Sequence, residues 1–564
     1  MLKFSRKSKI KILHLFFNKL NYSQCHETKT VKLPIGNVKG KYEAGLCGIS
    51  FYSFEGIPYG KPPIEELRFR PPQPVDPWKE LDCLEEADLP VQKGSQTGEV
   101  FGSEDCLKLN VYTKHFDTQK PLPVIVYFNG GGYRENGASR RRYGPDYLMH
   151  EDIVFVLFSH RLCTLGFLSF SSPELGIPGN AGMHDQVLLL RWVNKYISYF
   201  NGDENNITIL GTSSGSTSVH FMMCLPQTCG LFHRCIMMSG CMLNPWVNLP
   251  NTETFAYRLA KFKGYNGSAA DADVLKFLCS LPAEELVDHH LFGYTDYCFG
   301  HLYPFVPALE TIPSNTDGLL NRPFDLMMKE AWSSNVPLLI GGSSCEGLYM
   351  YPYCKLNNGL LMDHLIKQPA LILPYDLYVC SSDDERNNMA EMLIKFHYGP
   401  RKISKSDVMQ TLDHFSYKLF WHGFHRVVLS RLAFAKAPTY LYRFDFNSPK
   451  SNLLRVALCG EDIMSGVCHA DELGFIFPRR REHLCEAGKL TIQRLIGIIT
   501  TFARTGNPNC VETESEMWAP VDRKDPFKVM NIGDKLEIQT QPEKEGIKAW
   551  NKLYNNDAFL LYNG

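Results

Sequence analysis

The sequence lacks an excess of charge of either sign. Its 564 residues include 59 lysines and arginines and 60 aspartates and glutamates, so the formal net charge is −1 at pH 7. A charge so close to zero gives no broad field that would attract a polyanion, and this argues against nucleic acid as a partner. With 44% hydrophobic and 21% charged residues, the composition is that of an ordinary globular protein.

Long apolar runs, internal repeats and linkers rich in proline or serine are also missing. No stretch reaches the roughly 20 apolar residues that a helix needs to span a bilayer. Because no linker divides the chain, a single domain is predicted over residues 31–562.

Metal-binding cysteine patterns are absent as well. The 18 cysteines are scattered, and they form neither a Cys-x-x-Cys pair nor a cluster with histidine at the spacing of a zinc site. The sequence therefore predicts neither a metal nor a cofactor.

Residues 1–22 carry a basic amphipathic pattern. On a helix, the apolar residues between Ile10 and Leu20 share one face, and most of the lysines lie elsewhere. Lys11 and His14 interrupt the apolar run and no small-residue cleavage site follows, which is not typical of a secretory signal. The segment is predicted to lie in a membrane interface, on the endoplasmic reticulum or on lipid droplets. The alternatives are a helix packed on the protein's own surface and a poor signal peptide.

Runs of β-branched and aromatic residues alternate with helical patterns. Strands are predicted within 122–132, 152–161, 205–211, 336–342 and 438–446, and a helix within 185–200. This alternation is typical of an α/β protein with a mostly parallel central sheet flanked by helices. The segments 255–330 and 383–436 are predicted to be large insertions that form the walls of a substrate gorge above the sheet.

The stretch GTSSGSTSVH, residues 211–220, contains four serines and one Gly-x-Ser-x-Gly frame. A strand is predicted before the frame and a helix after it. Gly211 and Gly215 would allow a sharp turn that exposes one side chain at the carboxyl end of the strand. Ser213 alone lies in the frame and is the predicted nucleophile, whereas the other serines are assigned to the turn and the start of the helix.

Three glycines, Gly130 to Gly132, follow an earlier apolar strand. Glycines let backbone N–H groups approach a ligand closely, and acyl transfer needs such donors for its oxyanion. A plain flexible loop is the alternative. A serine nucleophile also needs a base, but spacing alone cannot identify one among 18 histidines and 60 carboxylates.

Further motifs occur in order from about Val31 onward. They are SFEGIPYGKPP (53–63), SEDCLKLNVYT (103–113), NGGGY (129–133), the stretch from GFLSF to LLRWV (166–193), GTSSGS (211–216), EGLYM (346–350), HADEL (469–473) and RTGNPN (504–509). Together they resemble the carboxylesterase/cholinesterase family of type-B carboxylesterases. With GPDYL (144–148), YLYRFDF (440–446) and the basic N-terminal segment, the sequence is most similar to the insect α-esterase branch.

The resemblance implies an α/β-hydrolase fold and a Ser–Glu–His triad in that chain order. Its members would be Ser213, Glu346 in EGLYM and His469 in HADEL. His469 would take the serine proton, and Glu346 would orient the imidazole and stabilise its cation. The implied oxyanion hole consists of the backbone N–H groups of Gly131, Gly132 and Ser214.

The sequence departs from the family pattern beside the nucleophile. Thr212 replaces the glutamate of the usual Gly-Glu-Ser-Ala-Gly motif. This removes a negative charge near the imidazole, so we expect weaker stabilisation of its cation and a slower enzyme. Ser214 keeps its backbone donor. Asn129 stands where the family often has histidine, and we expect this replacement to affect catalysis less than Thr212 does.

A second departure concerns the cysteines. In secreted relatives the cysteine of SEDC pairs with one upstream, where this chain has Pro90. Cys106 therefore lacks its usual partner, although Cys83 is an alternative one. With the missing signal peptide, this predicts a reduced, intracellular protein in which the sequons at Asn21, Asn206 and Asn266 are chance matches. A secreted protein is the alternative.

The leading hypothesis is a carboxylesterase for lipophilic or xenobiotic esters that works through an acyl-enzyme and is open to organophosphate inhibition. Aromatic residues within 292–305 and 415–424 are expected either to line the gorge or to pack in the core. Thr212 keeps open a slow or non-catalytic protein that sequesters its ligand. Residues 1–22 keep open a lipase acting at lipid surfaces. The retained triad argues against an adhesion protein.

Overall fold

The computed structural model describes residues 27–95, 97–247, 249–250, 252–310, 318–448, 452–478 and 485–554. The predicted amphipathic segment 1–22 and the sequon at Asn21 lie outside these residues.

The strands are β1 (Glu27–Leu33), β2 (Gly36–Ala44), β3 (Ser50–Pro58), β4 (Glu80–Asp82), β5 (Gln92–Lys93), β6 (Val100–Phe101), β7 (Lys108–Thr113), β8 (Leu122–Phe128), β9 (Val154–Phe158), β10 (Gly202–Thr212), β11 (Arg234–Met238), β12 (Leu338–Ser343), β13 (Thr439–Phe444), β14 (Lys528–Ile532) and β15 (Leu536–Thr540). Most belong to a central sheet in the order β1-β2-β3-β7-β9-β8-β10-β11-β12-β13-β14-β15, with β4 beside β2. The run from β9 to β14 is parallel, and both ends of the sheet are antiparallel. Strands β5 and β6 form a separate hairpin.

The α-helices span Arg140–Tyr143, Cys163–Phe167, Ala181–Tyr196, Ser214–Cys224, Thr254–Phe262, Asp271–Cys279, Ala283–Val287, Tyr294–Phe299, Phe324–Lys329, Tyr351–Lys355, Leu360–Lys367, Tyr375–Cys380, Asp383–Tyr398, Val408–Ser416, His422–Phe434, Leu453–Cys459, Leu473–Ile476, Glu486–Thr505 and Lys544–Leu553. A π-helical segment, Tyr417–Trp421, joins two of them. Short 3₁₀ helices span Leu46–Gly48, Glu65–Leu67, Leu148–His150, Pro173–Leu175, Ile197–Phe200, Pro226–Thr228, Trp332–Asn335, Glu346–Met350, Leu356–Asn358, Pro369–Ile372 and Val511–Thr513.

The predicted strands within 122–132, 152–161, 205–211, 336–342 and 438–446 correspond to β8, β9, β10, β12 and β13. The helix predicted within 185–200 begins earlier, at Ala181, and its last turn, Ile197–Phe200, tightens into a 3₁₀ helix. Within the described residues of both predicted insertions, the regular elements are helices.

The sheet separates two buried apolar clusters, because successive side chains of a strand point to opposite faces. On β8, Val124 and Val126 belong to one cluster, whereas Ile125 and Tyr127 belong to the other. Helices cover both faces, which explains why these strands are apolar throughout rather than alternating with polar residues.

Four of the parallel strands lead directly to polar or glycine-rich segments. Gly130 follows β8, Ser213 follows β10, Ser239 follows β11 and Glu346 lies just beyond β12. Parallel strands end at the same edge of a sheet, which is where ligands bind in open α/β folds. The sheet therefore brings together residues that are far apart in the sequence.

Candidate active site

Ser213 lies in a sharp turn between β10 and the helix Ser214–Cys224. Its backbone has φ 58° and ψ −124°, a conformation that a non-glycine residue rarely adopts, and its N–H donates to the Met238 carbonyl at 2.8 Å. A Cβ at Gly215 would lie 1.9 Å from the Phe128 carbonyl oxygen, and one at Gly211 would lie 2.3 Å from that of Gly215. Close backbone packing thus requires both glycines of the frame, and the turn presents the Ser213 side chain beyond the strand.

His469 connects Ser213 to Glu346. Its Nε2 lies 2.8 Å from Ser213 Oγ, and its Nδ1 lies 2.6 Å from Glu346 Oε2. These contacts join residues that are 256 and 123 positions apart in the sequence. The predicted nucleophile, base and acid are therefore adjacent, in the order needed to pass a proton from the serine to the imidazole.

Glu346 is fully buried and its carboxylate is held from two sides. Oε1 accepts hydrogen bonds from the Ser239 hydroxyl at 2.5 Å and from the Ser343 N–H at 2.7 Å, while Oε2 faces His469. Each oxygen thus has a donor, which compensates for the burial of the charge.

A second buried carboxylate, Glu472, shares these serines. Its Oε1 lies 3.3 Å from the Ser239 hydroxyl, and its Oε2 accepts from the Ser343 hydroxyl at 3.0 Å. Burial, followed by the charge of Glu346, raises the pKa of Glu472 to about 7. Sequence reasoning missed this residue, although it lies in the HADEL motif three positions after His469.

The glycine loop lies against the nucleophile. A Cβ at Gly130 would lie 3.0 Å from Ser213 Cβ, and Gly131 and Gly132 have φ values of 132° and 65°. The Asn136 side-chain amide donates to the Gly130 carbonyl at 2.7 Å and steadies the loop. Ser214 is the first residue of its helix, so its N–H has no acceptor within the helix. The three predicted oxyanion donors thus come from two segments that both adjoin Ser213.

The two residues that depart from the family pattern are buried. The Asn129 amide donates to the Gly130 carbonyl at 3.2 Å, and its Oδ1 has no hydrogen-bond donor among the described residues. Thr212 Oγ1 accepts from the Tyr127 hydroxyl at 3.4 Å and lies 3.8 Å from the Met238 sulphur. These Thr212 contacts are with β8 and β11, and its effect on the imidazole stays a prediction.

Aromatic residues enclose the site from both predicted insertions and from the segment after Glu346. Tyr303 packs on Gly132, its hydroxyl lies 2.6 Å from that of Tyr349, and the Tyr349 ring meets the His469 ring edge-on at 5.4 Å. Phe420, in the π-helical segment, also packs against the imidazole, with a centroid distance of 4.7 Å.

A sequence model of the carboxylesterase family matches residues 27–550. The chain belongs to the carboxylesterase family. Esterase B1 of Culex pipiens is 33% identical over 549 residues, which are 95% of this chain and 99% of that relative. Esterase E4 of Myzus persicae is 30% identical over 562 residues, with 96% and 99% covered.

Among solved structures, juvenile hormone esterase from Manduca sexta with OTFP covalently attached is similar in fold. Its TM-score is 0.82 at 23% identity, and the match covers 94% of this chain and 100% of that one. The predicted family and the α/β-hydrolase fold are therefore confirmed. The chain is an enzyme with carboxylesterase activity, and its substrates are small-molecule esters.

The 16 cysteines from Cys83 to Cys510 of this carboxylesterase are free thiols. Cys83 and Cys106, which sequence reasoning considered as a pair, are both buried and unlinked. Burial raises the pKa of the Cys83 thiol to about 12, which makes it a poor nucleophile. The compartment of the protein stays a prediction.

Among the residues that the structure describes, no group of three or more histidine, cysteine, aspartate or glutamate side chains is arranged to hold a metal ion. None of the described helices is both long and apolar enough to cross a bilayer.

Proposed function

We propose that this carboxylesterase hydrolyses lipophilic carboxylic esters with Ser213 as nucleophile, His469 as general base and Glu346 as orienting acid. The observation that carries the proposal is the position of His469, within hydrogen-bonding distance of both partners. A base in reach of the nucleophile and oriented by a third group is the arrangement that activates a serine.

In acylation, His469 Nε2 takes the Ser213 proton as Oγ attacks the ester carbonyl carbon. The negative charge that develops on the carbonyl oxygen is stabilised by the N–H groups of Gly131, Gly132 and Ser214. Glu346 stabilises the imidazolium through Nδ1. The imidazolium then gives its proton to the leaving alcohol, the ester C–O bond breaks, and the acyl group stays on Ser213.

Deacylation repeats these steps with water as the nucleophile. His469 takes a proton from the water molecule, whose oxygen attacks the acyl carbon. As the tetrahedral intermediate collapses, the proton returns to Ser213 Oγ and the carboxylic acid leaves. The same donors serve both tetrahedral intermediates, so one oxyanion hole is sufficient.

The substrate preference follows from the surroundings of the triad. Tyr303, Tyr349 and Phe420 present ring surfaces around Gly132 and His469. Burial raises the pKa of both tyrosines, which therefore remain neutral phenols. Aromatic walls bind apolar groups by excluding water, which supports lipophilic and xenobiotic esters as substrates. An organophosphate would phosphorylate Ser213 by the same attack.

The test is a rapid-mixing assay with 4-nitrophenyl butanoate on the full chain, Ser213→Ala and Ser214→Ala. We expect a burst followed by sustained turnover, complete loss of both in Ser213→Ala, and activity in the control Ser214→Ala, whose backbone donor is unchanged. Turnover that survives in Ser213→Ala would refute the proposal. A single burst without turnover would instead establish a sequestering protein.

A second test uses a diethyl phosphate ester as a covalent probe. We expect loss of activity together with one diethylphosphoryl adduct on the peptide that contains Ser213, and no adduct in Ser213→Ala. Mass spectrometry locates the adduct, and a label on a different serine would contradict the assignment of the nucleophile.

A further inference from the structure

Arg134 is a cation beside the oxyanion loop that the hydrolytic mechanism does not use. It lies two residues after Gly132, and its N–H donates to the Gly131 carbonyl at 3.1 Å. Its guanidinium carbon lies 5.1 Å from the centroid of the Tyr303 ring, so the ring holds the guanidinium in place. About a third of the side chain, 31%, is exposed, so solvent and ligands can reach it.

The protein leaves much of the hydrogen-bonding capacity of this guanidinium unused. A guanidinium carries five N–H donors. The Arg134 Nε is buried and has no acceptor among the described residues. Nη2 lies 3.7 Å from Glu135 Oε1, which is an ion pair but too long for a hydrogen bond. The other oxygen of Glu135 accepts from the Ser95 N–H at 3.0 Å.

The residues around Arg134 do not neutralise it further. Tyr303, Tyr349 and Tyr353 contribute to its electrostatic environment, and burial raises the pKa of all three phenols. None of them becomes a phenolate near neutral pH. Glu135 is a neighbouring carboxylate whose charge acts on Arg134.

Two tyrosines connect Arg134 with the reacting atoms. The Tyr303 ring, on which the guanidinium stacks, packs on Gly132. Its hydroxyl contacts that of Tyr349, whose ring in turn contacts His469. One aromatic ring therefore separates the guanidinium from the oxyanion loop. A substrate whose ester group lies at Ser213 would bring a second functional group, a few bonds away, into reach of Arg134.

We propose that Arg134 binds an anionic group of the substrate, so that the enzyme selects esters that also carry a carboxylate. This inference rests on the proposed function of Ser213. Half-esters of dicarboxylic acids and hydroxybenzoates acylated on the phenolic oxygen have the required chemistry, because both keep a free carboxylate. Carboxylates suit this site because the planar fork of arginine can bind both oxygens at once.

The test compares matched anionic and neutral esters on the full chain. With the anion on the leaving group, the pair is 4-acetoxybenzoate and 4-acetoxybenzamide. With the anion on the acyl group, the pair is the mono-4-nitrophenyl ester of adipic acid and its methyl diester. The quantity measured is the ratio of kcat/KM for the anionic ester to that for its neutral counterpart.

For at least one pair we expect this ratio to fall about 10- to 100-fold in Arg134→Met, the range of a charge-assisted hydrogen bond. Arg134→Lys should lie in between, because it keeps the charge but not the fork. Arg141→Met is the matched control, since it removes the same charge from an exposed residue of the nearby short helix Arg140–Tyr143. A ratio that is the same in Arg134→Met and Arg141→Met for both pairs would overturn the proposal.

Glu135→Gln provides an independent test should Arg134→Met fail to fold. Removing the competing carboxylate should raise the ratio about threefold or more, and an unchanged or lower ratio would refute a role for Arg134 in binding. Failure of the proposed function is distinct from these outcomes, because turnover of the neutral esters would then survive in Ser213→Ala.

Discussion

The two sides of the active site differ in how completely their polar groups are satisfied. Behind His469, the side chains of Ser239, Ser343, Glu346 and Glu472 are fully buried and hydrogen-bond to one another. In front of the oxyanion loop, Arg134 is partly exposed, and its Nε lacks an acceptor in the described part of the chain.

This difference matches the tasks that we propose for the two sides. The base has to return to one geometry in every turnover, and saturated, buried contacts hold it there. The opposite side meets a ligand that comes and goes, so its donors must be available when the substrate arrives. A donor without an acceptor next to the site therefore indicates a place where a ligand binds. Side chains behind His469 that hydrogen-bond to one another indicate that they hold the base in position.

The largest loss of kcat is expected from a substitution of Glu346, on the buried side of the active site. Glu346→Gln keeps the shape but removes the charge, and its amide can donate to Nδ1 and so favour the wrong imidazole tautomer. We expect kcat to fall by about 10⁴-fold, as for the equivalent change in other serine hydrolases. Steady-state kinetics with a neutral ester measures it.

Glu472→Gln is the control for that substitution, because it makes the same chemical change one hydrogen bond further from His469. Its kcat should stay within about tenfold of the unchanged enzyme. Equal losses in the two variants would show that Glu346 has no special role.

The second largest loss of kcat is expected from a substitution of Gly132, on the opposite side of the active site. A Cβ there would lie 2.1 Å from the Tyr303 ring, and the residue has a φ of 65°. Gly132→Ala should therefore displace the loop and its donors, and kcat should fall by about 10²- to 10³-fold, the cost of losing an oxyanion donor.

Gly176→Ala is the matched control for the backbone strain, because Gly176 has a φ of 66° but lies on the surface. Comparing kcat and melting temperature for both variants separates strain from catalysis. A similar loss of kcat in the two would contradict the assignment of the loop.

On the buried side, Glu472 should make the stability of the protein depend on pH. The pKa of Glu472 rises from its ordinary value of 4.5 to about 7, so between these values the folded chain holds a proton that the unfolded chain has released. Stability therefore falls as pH rises through this range. Glu472→Gln removes the titration, and its stability relative to the unchanged enzyme should increase by on the order of 3 kcal/mol from pH 4.5 to pH 8.

Thermal or urea unfolding at several pH values measures this difference. The change with pH is the informative quantity, because the amide adds an offset that does not depend on pH. Stability curves of the two proteins that run parallel would show that Glu472 does not titrate in this range.

The smallest effect is expected at Thr212. Thr212→Glu restores the family's charge at a fully buried position beside Ser213, and we expect kcat to rise about three- to tenfold through better stabilisation of the imidazolium. Thr212→Gln, which has the same shape without the charge, should show no increase. A kcat in Thr212→Glu at or below that of Thr212→Gln would indicate that Thr212 does not limit the rate.

Five strands of the 13-stranded sheet and one side of the active site were predictable from the sequence. Apolar runs bounded by helical patterns located β8, β9, β10, β12 and β13. The glycines around Ser213 predicted the turn, because the close backbone packing there leaves no room for a side chain. Glu346 and His469 were reachable only through family resemblance, since nothing local distinguishes them from other carboxylates and histidines.

By itself, then, the sequence determined these five strands, the nucleophile turn and the glycine loop, because each is encoded by neighbouring residues. Only the tertiary structure decided that Ser239 and Glu472 support Glu346, and that Arg134 stacks on Tyr303 beside Gly132. The physical reason is distance along the chain. These contacts join separate strands and insertions, and no local pattern records which segments meet at the edge of the sheet.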